Sequence, residues 1–123
     1  MTKNASTRRQ RPDDHSLTFS RIVGDVTASG LTQADLARAV GASVRTVQNW
    51  ASGTSAPAGV RMKRLLDLQF LVNELREAYT EEGVQIWLHS RNRNLGSERP
   101  LDLLFAGNRD EVLREARRVS GAM

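Results

Sequence analysis

The sequence predicts an all-α fold, because its apolar residues recur at the three- and four-residue spacing of amphipathic helices. Residues that favour helix N-termini precede these segments, and glycines follow several of them. No segment alternates apolar and polar residues in the manner of a half-buried strand. The 123 residues are 39% hydrophobic and 26% charged, which suits one globular domain or two very small ones sharing a core.

Three helices are predicted in the first half of the chain. The first runs from about Leu17 to Ala28, and Gly30 ends it. The second begins after Thr32, an N-cap residue with Asp35 three positions later, and the third begins after the N-cap residue Ser43. Gly41 and Gly53 end the second and third helices. The residues expected to face inward are Phe19, Ile22, Val23, Val26, Ala34, Leu36, Ala37, Val40, Val44, Val47 and Trp50.

A long fourth helix is predicted from about Gly59 to Tyr79, and three short helices follow it. The long helix is apolar on several sides, so we expect more than one neighbour to cover it. The short helices span about Glu81–His89, Pro100–Phe105 and the segment after Asn108, which we expect to cap the last helix. A polar loop is expected at 90–99. Residues 1–15 show no apolar period and predict a disordered tail.

Composition argues against an enzyme and against a resident metal or cofactor. The chain has no cysteine, and neither His15 nor His89 has a partner at metal-ligand spacing. No glycine-rich phosphate loop follows a strand. No apolar run reaches membrane-spanning length and no signal peptide is evident, so a cytoplasmic location is expected.

The basic residues are unevenly placed. The net charge is +4, and the stretch from Gly41 to Leu66 contains Arg45, Arg61, Lys63 and Arg64 without any acidic residue. Such a stretch is a plausible phosphate footprint beside a DNA-reading helix. The general abundance of arginine has a second explanation, which is codon bias in a GC-rich genome.

The segment Leu31–Pro57 carries the strongest motif, two capped helices joined by a short turn at Gly41. Inward Val47 and Trp50 leave the N-terminal part of the third helix free to enter a major groove. The segment resembles the Xre, or lambda-repressor-like, helix-turn-helix family. The resemblance assigns DNA contacts to Gln33, Ser43, Arg45, Thr46, Gln48 and Asn49. Arginine suits guanine and asparagine suits adenine, whereas Val44 departs from the usual polar residue and would touch a thymine methyl or simply pack.

The segment Val84–Met123 is unusual for a plain repressor. It resembles the MbcA/ParS/Xre toxin-binding domain of antitoxins that pair with RES-domain toxins. The matching residues are Trp87, Leu88, Asn92, Arg93, Leu95, Pro100, Leu101, Asp102, Leu103, Leu104, Gly107, Val112, Leu113 and Gly121. The resemblance implies that the NAD chemistry belongs to the toxin and that the C-terminal end of the antitoxin blocks the entrance to the toxin's active site.

Several residues of this segment are candidates for toxin contact, although some also have a structural explanation. Trp87 is either a core residue or a contact, and Asn92 and Arg93 either hold the loop or face the partner. Three arginines of the last helix form a predicted basic face, and a small apolar tail is predicted to enter a cleft. These residues are Arg114, Arg117 and Arg118 in the helix, and Ser120, Gly121, Ala122 and Met123 in the tail.

The sequence therefore predicts an antitoxin with four segments, namely a tail (1–15), a helix-turn-helix (16–58), a connecting and dimerising helix (59–80) and a toxin-binding domain (81–123). The expected partners are a RES-domain toxin, promoter DNA and a second copy of the chain, as a homodimer or within a larger complex with the toxin. The alternative is a transcriptional regulator whose C-terminal half only dimerises. A third possibility is that the helix-turn-helix has lost DNA binding and only supports the C-terminal half.

Overall fold

The computed structural model describes residues 14–121, and this range folds into seven α-helices and one 3₁₀ turn without a strand. The helices are α1 (Asp14–Thr27), α2 (Gln33–Val40), α3 (Val44–Ala51), α4 (Gly59–Ala78), α5 (Glu81–His89), α6 (Pro100–Phe105) and α7 (Arg109–Ser120), with the 3₁₀ turn at Arg93–Leu95. The prediction of an all-α fold is confirmed.

The predicted caps explain where the helices of the first half begin. The Thr32 hydroxyl accepts a hydrogen bond from the Asp35 backbone N at 3.0 Å, and the Asp35 carboxylate accepts one from the Thr32 backbone N at 3.2 Å. Ser43 caps α3 by accepting a hydrogen bond from the Thr46 backbone N at 3.1 Å. Gly41 closes α2 with a φ of 79°, which only glycine adopts without strain.

A single hydrophobic core contains residues from α1 through α7, and α4 lies at its centre. This helix packs against α1, α2, α5 and α7, as its apolar residues on several sides predict. Its fully buried residues are Leu65, Leu68, Leu71, Val72 and Leu75. The helix-turn-helix and the C-terminal half therefore share one core, while the segment boundaries at 58 and 80 stay predictions from the sequence pattern.

Several contacts join the helix-turn-helix to the C-terminal half, and one of them is a hydrogen bond of 3.2 Å between the His89 Nε2 and the Gly30 carbonyl oxygen. The turn at Gly30 lies so close to α5 that a Cβ at this position would stand 2.9 Å from the Gln85 Cβ. The Arg38 guanidinium of α2 stacks 4.2 Å from the centroid of the Phe105 ring of α6. These contacts fix the position of the helix-turn-helix against α5 and α6.

Arg76 of α4 makes another contact between the two halves. Its guanidinium donates hydrogen bonds to both carboxylate oxygens of Asp25 at 3.0 Å and to the hydroxyl of Ser29. It also pairs with Glu81, at the start of α5, at 3.3 Å. One arginine thus ties the end of α1 to the beginning of the C-terminal half.

Several sequence predictions were wrong in detail. Helix α1 begins at Asp14, so the last two residues of the predicted tail are helical, and residues 1–13 lie outside the described residues. The expected polar loop at 90–99 contains the 3₁₀ turn, whose Leu95 is buried because it packs into the core. Asn108 occupies the N-cap position of α7, but its side chain makes no capping hydrogen bond because its backbone ψ of 55° is not the extended value of a capping residue.

Two residues expected to face inward are exposed. Val44 is 40% exposed and Ala34 is also exposed. Both lie in the first turn of their helices, where the later residues Val47 and Leu36 already provide the contact with the core.

Candidate functional site

The exposed face of α3 carries the side chains predicted to read DNA. Arg45, Gln48 and Asn49 are exposed. Within the part of the chain that the structure describes, Arg45 makes no ion pair. The face therefore presents one arginine and two amides that remain available for base edges.

The other three predicted DNA contacts lie at helix starts. The Ser43 and Thr46 hydroxyls lie 2.9 Å apart, and Ser43 also caps α3. Gln33 is the half-buried first residue of α2. Helix N-termini present free backbone N–H groups, which suits contacts with phosphate oxygens.

The rest of the basic stretch has structural partners. Arg61 donates a hydrogen bond to the Gly41 carbonyl at 3.1 Å, and Arg64 donates one to the Val40 carbonyl at 3.2 Å. These bonds satisfy carbonyl groups at the C-terminus of α2, which lack helical partners. Lys63 pairs with Asp67 at 3.1 Å. These three basic residues therefore stabilise the fold, whether or not they also contact DNA.

A second surface is an open groove of about 450 Å³, which we call the C-terminal groove; it lies between α5, the 3₁₀ turn and α7. Trp87 of α5 packs against the core, as one of its two sequence interpretations predicts, and it also lines this groove, while its contact with a toxin stays a prediction. Ile86 beside it is 58% exposed and Tyr79 is 37% exposed. One wall of the groove is therefore apolar and open to solvent.

The opposite wall is organised by a buried carboxylate. Glu115 of α7 is 7% exposed and accepts two hydrogen bonds from the Arg118 guanidinium, at 2.9 and 2.8 Å. It also accepts a hydrogen bond from the Asn94 side-chain amide at 3.0 Å. The hydrogen bonds from Arg118 are the main reason that the pKa of Glu115 lies below its ordinary value, because they favour the charged carboxylate.

The turn that carries Asn92 and Arg93 borders the same groove. The Asn92 side-chain oxygen accepts a hydrogen bond from the Asn94 backbone N at 2.8 Å, so Asn92 holds the loop, as one of its two sequence interpretations proposes. Arg93 is exposed, and within the described range it makes no ion pair. Arg93 is thus free for a partner molecule.

The three arginines of α7, for which the sequence predicts a basic face, have different neighbours in the structure. Arg118 borders the C-terminal groove, whereas Arg117 lies beside α4, with its guanidinium 5.2 Å from the centroid of the Phe70 ring. Arg114 borders two further grooves, of about 460 and 220 Å³, on the two sides of α7. The i, i+3, i+4 spacing places the three arginines on one side of α7. The Arg118 side chain bonds to Glu115 and the Arg117 side chain stacks on Phe70, so these two arginines border different surfaces.

The predicted C-terminal tail begins later than expected. Ser120 is the last residue of α7, and its hydroxyl donates a hydrogen bond to Glu74 of α4 at 2.8 Å. Gly121 follows with a left-handed φ of 82°, while Ala122 and Met123 lie outside the described residues. Ser120 therefore belongs to the folded body, because its side chain is fastened to α4.

Glu115 was not among the site residues predicted from the sequence, although it organises one wall of the groove. The sequence does contain a signal. Glu115 stands between Val112 and Ala116 in the i, i+3, i+4 pattern of the buried stripe of α7, where a charged residue needs a partner.

In the part of the chain that is described, no group of three or more His, Cys, Asp or Glu side chains is placed to hold a metal ion. Among the same residues, no helix is both long and apolar enough to cross a membrane.

Fold and surfaces together define a helix-turn-helix protein with a helical C-terminal extension. The Helix-turn-helix family model matches residues 27–68. A probable mycobacterial cidal antitoxin of Mycobacterium tuberculosis is 40% identical over 103 residues, which are 84% of this chain and 87% of that protein. The mycobacterial cidal antitoxin MbcA of Mycobacterium bovis is 31% identical over 94 residues, which are 76% of this chain and 83% of that protein.

A solved structure agrees with these sequence relatives. The crystal structure of the M. tuberculosis MbcT–MbcA toxin–antitoxin complex contains a chain that matches with a TM-score of 0.68 and 27% identity. The match covers 85% of this chain and 96% of that one. This chain belongs to the MbcA family of mycobacterial cidal antitoxins, which confirms the predicted resemblance.

Proposed function

We propose that this antitoxin neutralises a RES-domain, NAD-degrading toxin by binding it through residues 81–123 and covering its active site. The observation that carries the proposal is the C-terminal groove, which exposes apolar and arginine side chains in the segment that distinguishes this chain from a plain repressor. The relative in the crystal structure is in complex with its toxin, MbcT, which supports a protein partner of this kind.

The predicted toxin contacts divide into two parts in this proposal. Trp87, Asn92, Arg93 and Arg118 lie around the groove and provide the docking platform. Residues 121–123, which follow α7 in the sequence, are assigned the contact that excludes NAD, and Arg114 and Arg117 are assigned further contacts with the toxin. A few buried anchors would supply most of the affinity, as is usual at protein interfaces.

A truncation tests the division between docking and blocking. Deleting 121–123 keeps Ser120 and its hydrogen bond to Glu74, so the fold should remain intact. The truncated antitoxin should still bind its RES-domain toxin but should inhibit NAD consumption poorly. The matched control is Ser120→Ala, which loses the bond to Glu74 but keeps the terminal residues, and it should inhibit fully. Full inhibition by the truncated chain would show that the terminus is not the blocking element.

We also propose that the chain represses its own promoter through α3, since Arg45, Gln48 and Asn49 are exposed together on a capped helix. If Arg45 reads a guanine, Arg45→Ala should weaken operator binding by roughly 1–3 kcal/mol. Arg21→Ala on α1 removes an exposed arginine outside this face and serves as the control. Equal affinity for promoter and random DNA at the same salt concentration would contradict specific recognition.

A dimer is part of the same proposal, because palindromic operators match two-fold symmetric proteins. Leu66 and Phe70 of α4 are each 39% exposed and lie one helical turn apart, so they offer apolar surface for a second copy. Light scattering on the free, DNA-bound and toxin-bound protein tests this, and a single copy in all three states would contradict it. A dimer that binds DNA but no toxin would favour the alternative function of a plain regulator.

A further inference from the structure

The C-terminal groove has a chemistry that specifies what part of a partner enters it. We propose that it receives a segment of the toxin that presents a large apolar side chain beside a carboxylate. This inference rests on the proposed neutralisation of a toxin and adds the chemical class of the toxin segment and the place where it docks.

The apolar requirement follows from the wall formed by α5 and the end of α4. Ile86 is 58% exposed, Tyr79 is 37% exposed and Trp87 is half-buried. Exposed apolar residues are ordinary when scattered, but these three line one concave surface. The groove volume of about 450 Å³ lies within the range of sites that bury a ligand group. An apolar side chain of the partner placed there would bury its own surface and the apolar surface of the groove wall, which is favourable in water.

The carboxylate requirement follows from the charges along the groove, which are three arginines and one glutamate. Glu115 is already matched by its two hydrogen bonds from Arg118. Arg91 donates a hydrogen bond only to the neutral carbonyl of Ser97, at 3.1 Å, and Arg93 has no ion pair in the described part of the chain. The lining therefore keeps a positive charge that a partner carboxylate would complement.

The groove is also largely preformed. Gly83 allows α5 to approach Tyr79 so closely that a Cβ at Gly83 would lie 2.9 Å from the Tyr79 Cβ. On the other wall, the hydrogen bond from Asn94 to Glu115 joins the 3₁₀ turn to α7, and the hydrogen bonds from Arg118 hold the Glu115 carboxylate in place. Side chains that are fixed before binding lose little conformational freedom on binding, which favours affinity.

Fluorine NMR of the full-length, fluorotryptophan-labelled antitoxin tests where the toxin docks. The chain has two tryptophans, Trp87 in the groove and Trp50, which is 2% exposed in the helix-turn-helix core. The unlabelled probe is a purified RES-domain toxin. We expect its addition to shift the Trp87 signal and to leave the Trp50 signal in place, so Trp50 serves as an internal control.

Two substitutions test the chemistry of the toxin segment through the dissociation constant. Ile86→Asp and Arg93→Glu should each weaken toxin binding about tenfold or more, and Arg93→Glu should also reduce the salt dependence of the association rate. The matched controls are Val60→Asp, at a position that is 61% exposed on α4, and Arg21→Glu on α1. Because all four positions are exposed, these variants should retain the helical fold, which circular dichroism would verify.

The possible outcomes separate this inference from the proposed function. If the wild-type antitoxin binds the RES-domain protein, but the Trp87 signal stays in place and the groove variants bind like the controls, only the groove inference is overturned. If Ile86→Asp weakens binding and Arg93→Glu does not, the proposed carboxylate is wrong. If the wild-type protein does not bind at all, both the inference and the proposed function are overturned.

Discussion

Replacing Gly30 by alanine tests the contact between the helix-turn-helix and the C-terminal half. Gly30 has a φ of +99°, and an added Cβ would lie 2.8 Å from the Gln85 Cγ, 2.9 Å from its Cβ and 3.1 Å from its Cα. The Gln85 Cγ can rotate away because this side chain is exposed, but its Cβ and Cα can move only if α5 moves.

The expected magnitude combines two effects. A positive φ costs an L-residue roughly 1–2 kcal/mol, and forcing extra atoms into a close contact typically costs about 1–3 kcal/mol. Gly30→Ala should therefore lower the free energy of unfolding by roughly 2–5 kcal/mol. Gly53 provides the matched control, because it has a φ of +79° and an added Cβ there would meet no atom within 4 Å. Gly53→Ala should lower the free energy of unfolding only by the cost of the positive φ, about 1–2 kcal/mol.

Urea denaturation followed by circular dichroism measures both variants against the wild type. We expect the urea midpoint of Gly30→Ala to fall clearly below that of Gly53→Ala, with similar slopes for all three proteins. Equal midpoints for the two variants would refute the reasoning, because they would mean that the approach of α5 to Gly30 contributes nothing beyond the backbone conformation.

Two further predictions concern charged groups. Arg76→Ala should lower the free energy of unfolding by about 2 kcal/mol, since it removes several charge-assisted hydrogen bonds at a site where the side chain is 25% exposed. Lys63→Ala, at a side chain that is 73% exposed, should cost only about 0.3–0.5 kcal/mol, and equal losses in chemical denaturation would contradict this. Because Arg118 lowers the pKa of Glu115 below 4.5, the ionised carboxylate stabilises the fold above that pH, and this contribution is lost as the pH falls through the lowered pKa. The difference in free energy of unfolding between the wild type and Glu115→Gln should therefore shrink on acidification. A difference that grows instead would show that the predicted direction of the pH dependence is wrong.

Local signals made most of the fold predictable from the sequence. The caps at Thr32 and Ser43 are hydrogen bonds between residues three positions apart, and Gly41 ends the helix that directly precedes it. Each of these features can therefore be predicted from a short stretch of sequence. The spacing of the apolar residues in α4 likewise predicts which of them are buried, because helical periodicity is visible within a short segment.

The site was less predictable because it depends on contacts between distant residues. Arg61 and Arg64 bond to carbonyls that lie 20 and 24 residues earlier in the chain, so their structural role has no local pattern. The separation of Arg117 from Arg118 depends on how α7 is rotated against α4, and a difference of one residue decides which groove an arginine borders. A charge count along the helix cannot show this.

The shared core also limits how freely the two halves of this protein can be recombined. A helix-turn-helix transplanted from another repressor would meet α5 with whatever residue it carries at position 30, and any side chain there would collide with the backbone around Gln85. It would also need a long cation at position 38 to cover the Phe105 ring. Chimeric antitoxins should therefore tolerate exchange of the exposed residues of α3 far better than exchange of the whole N-terminal half, and new operator specificities are best sought by changing those residues within the native scaffold.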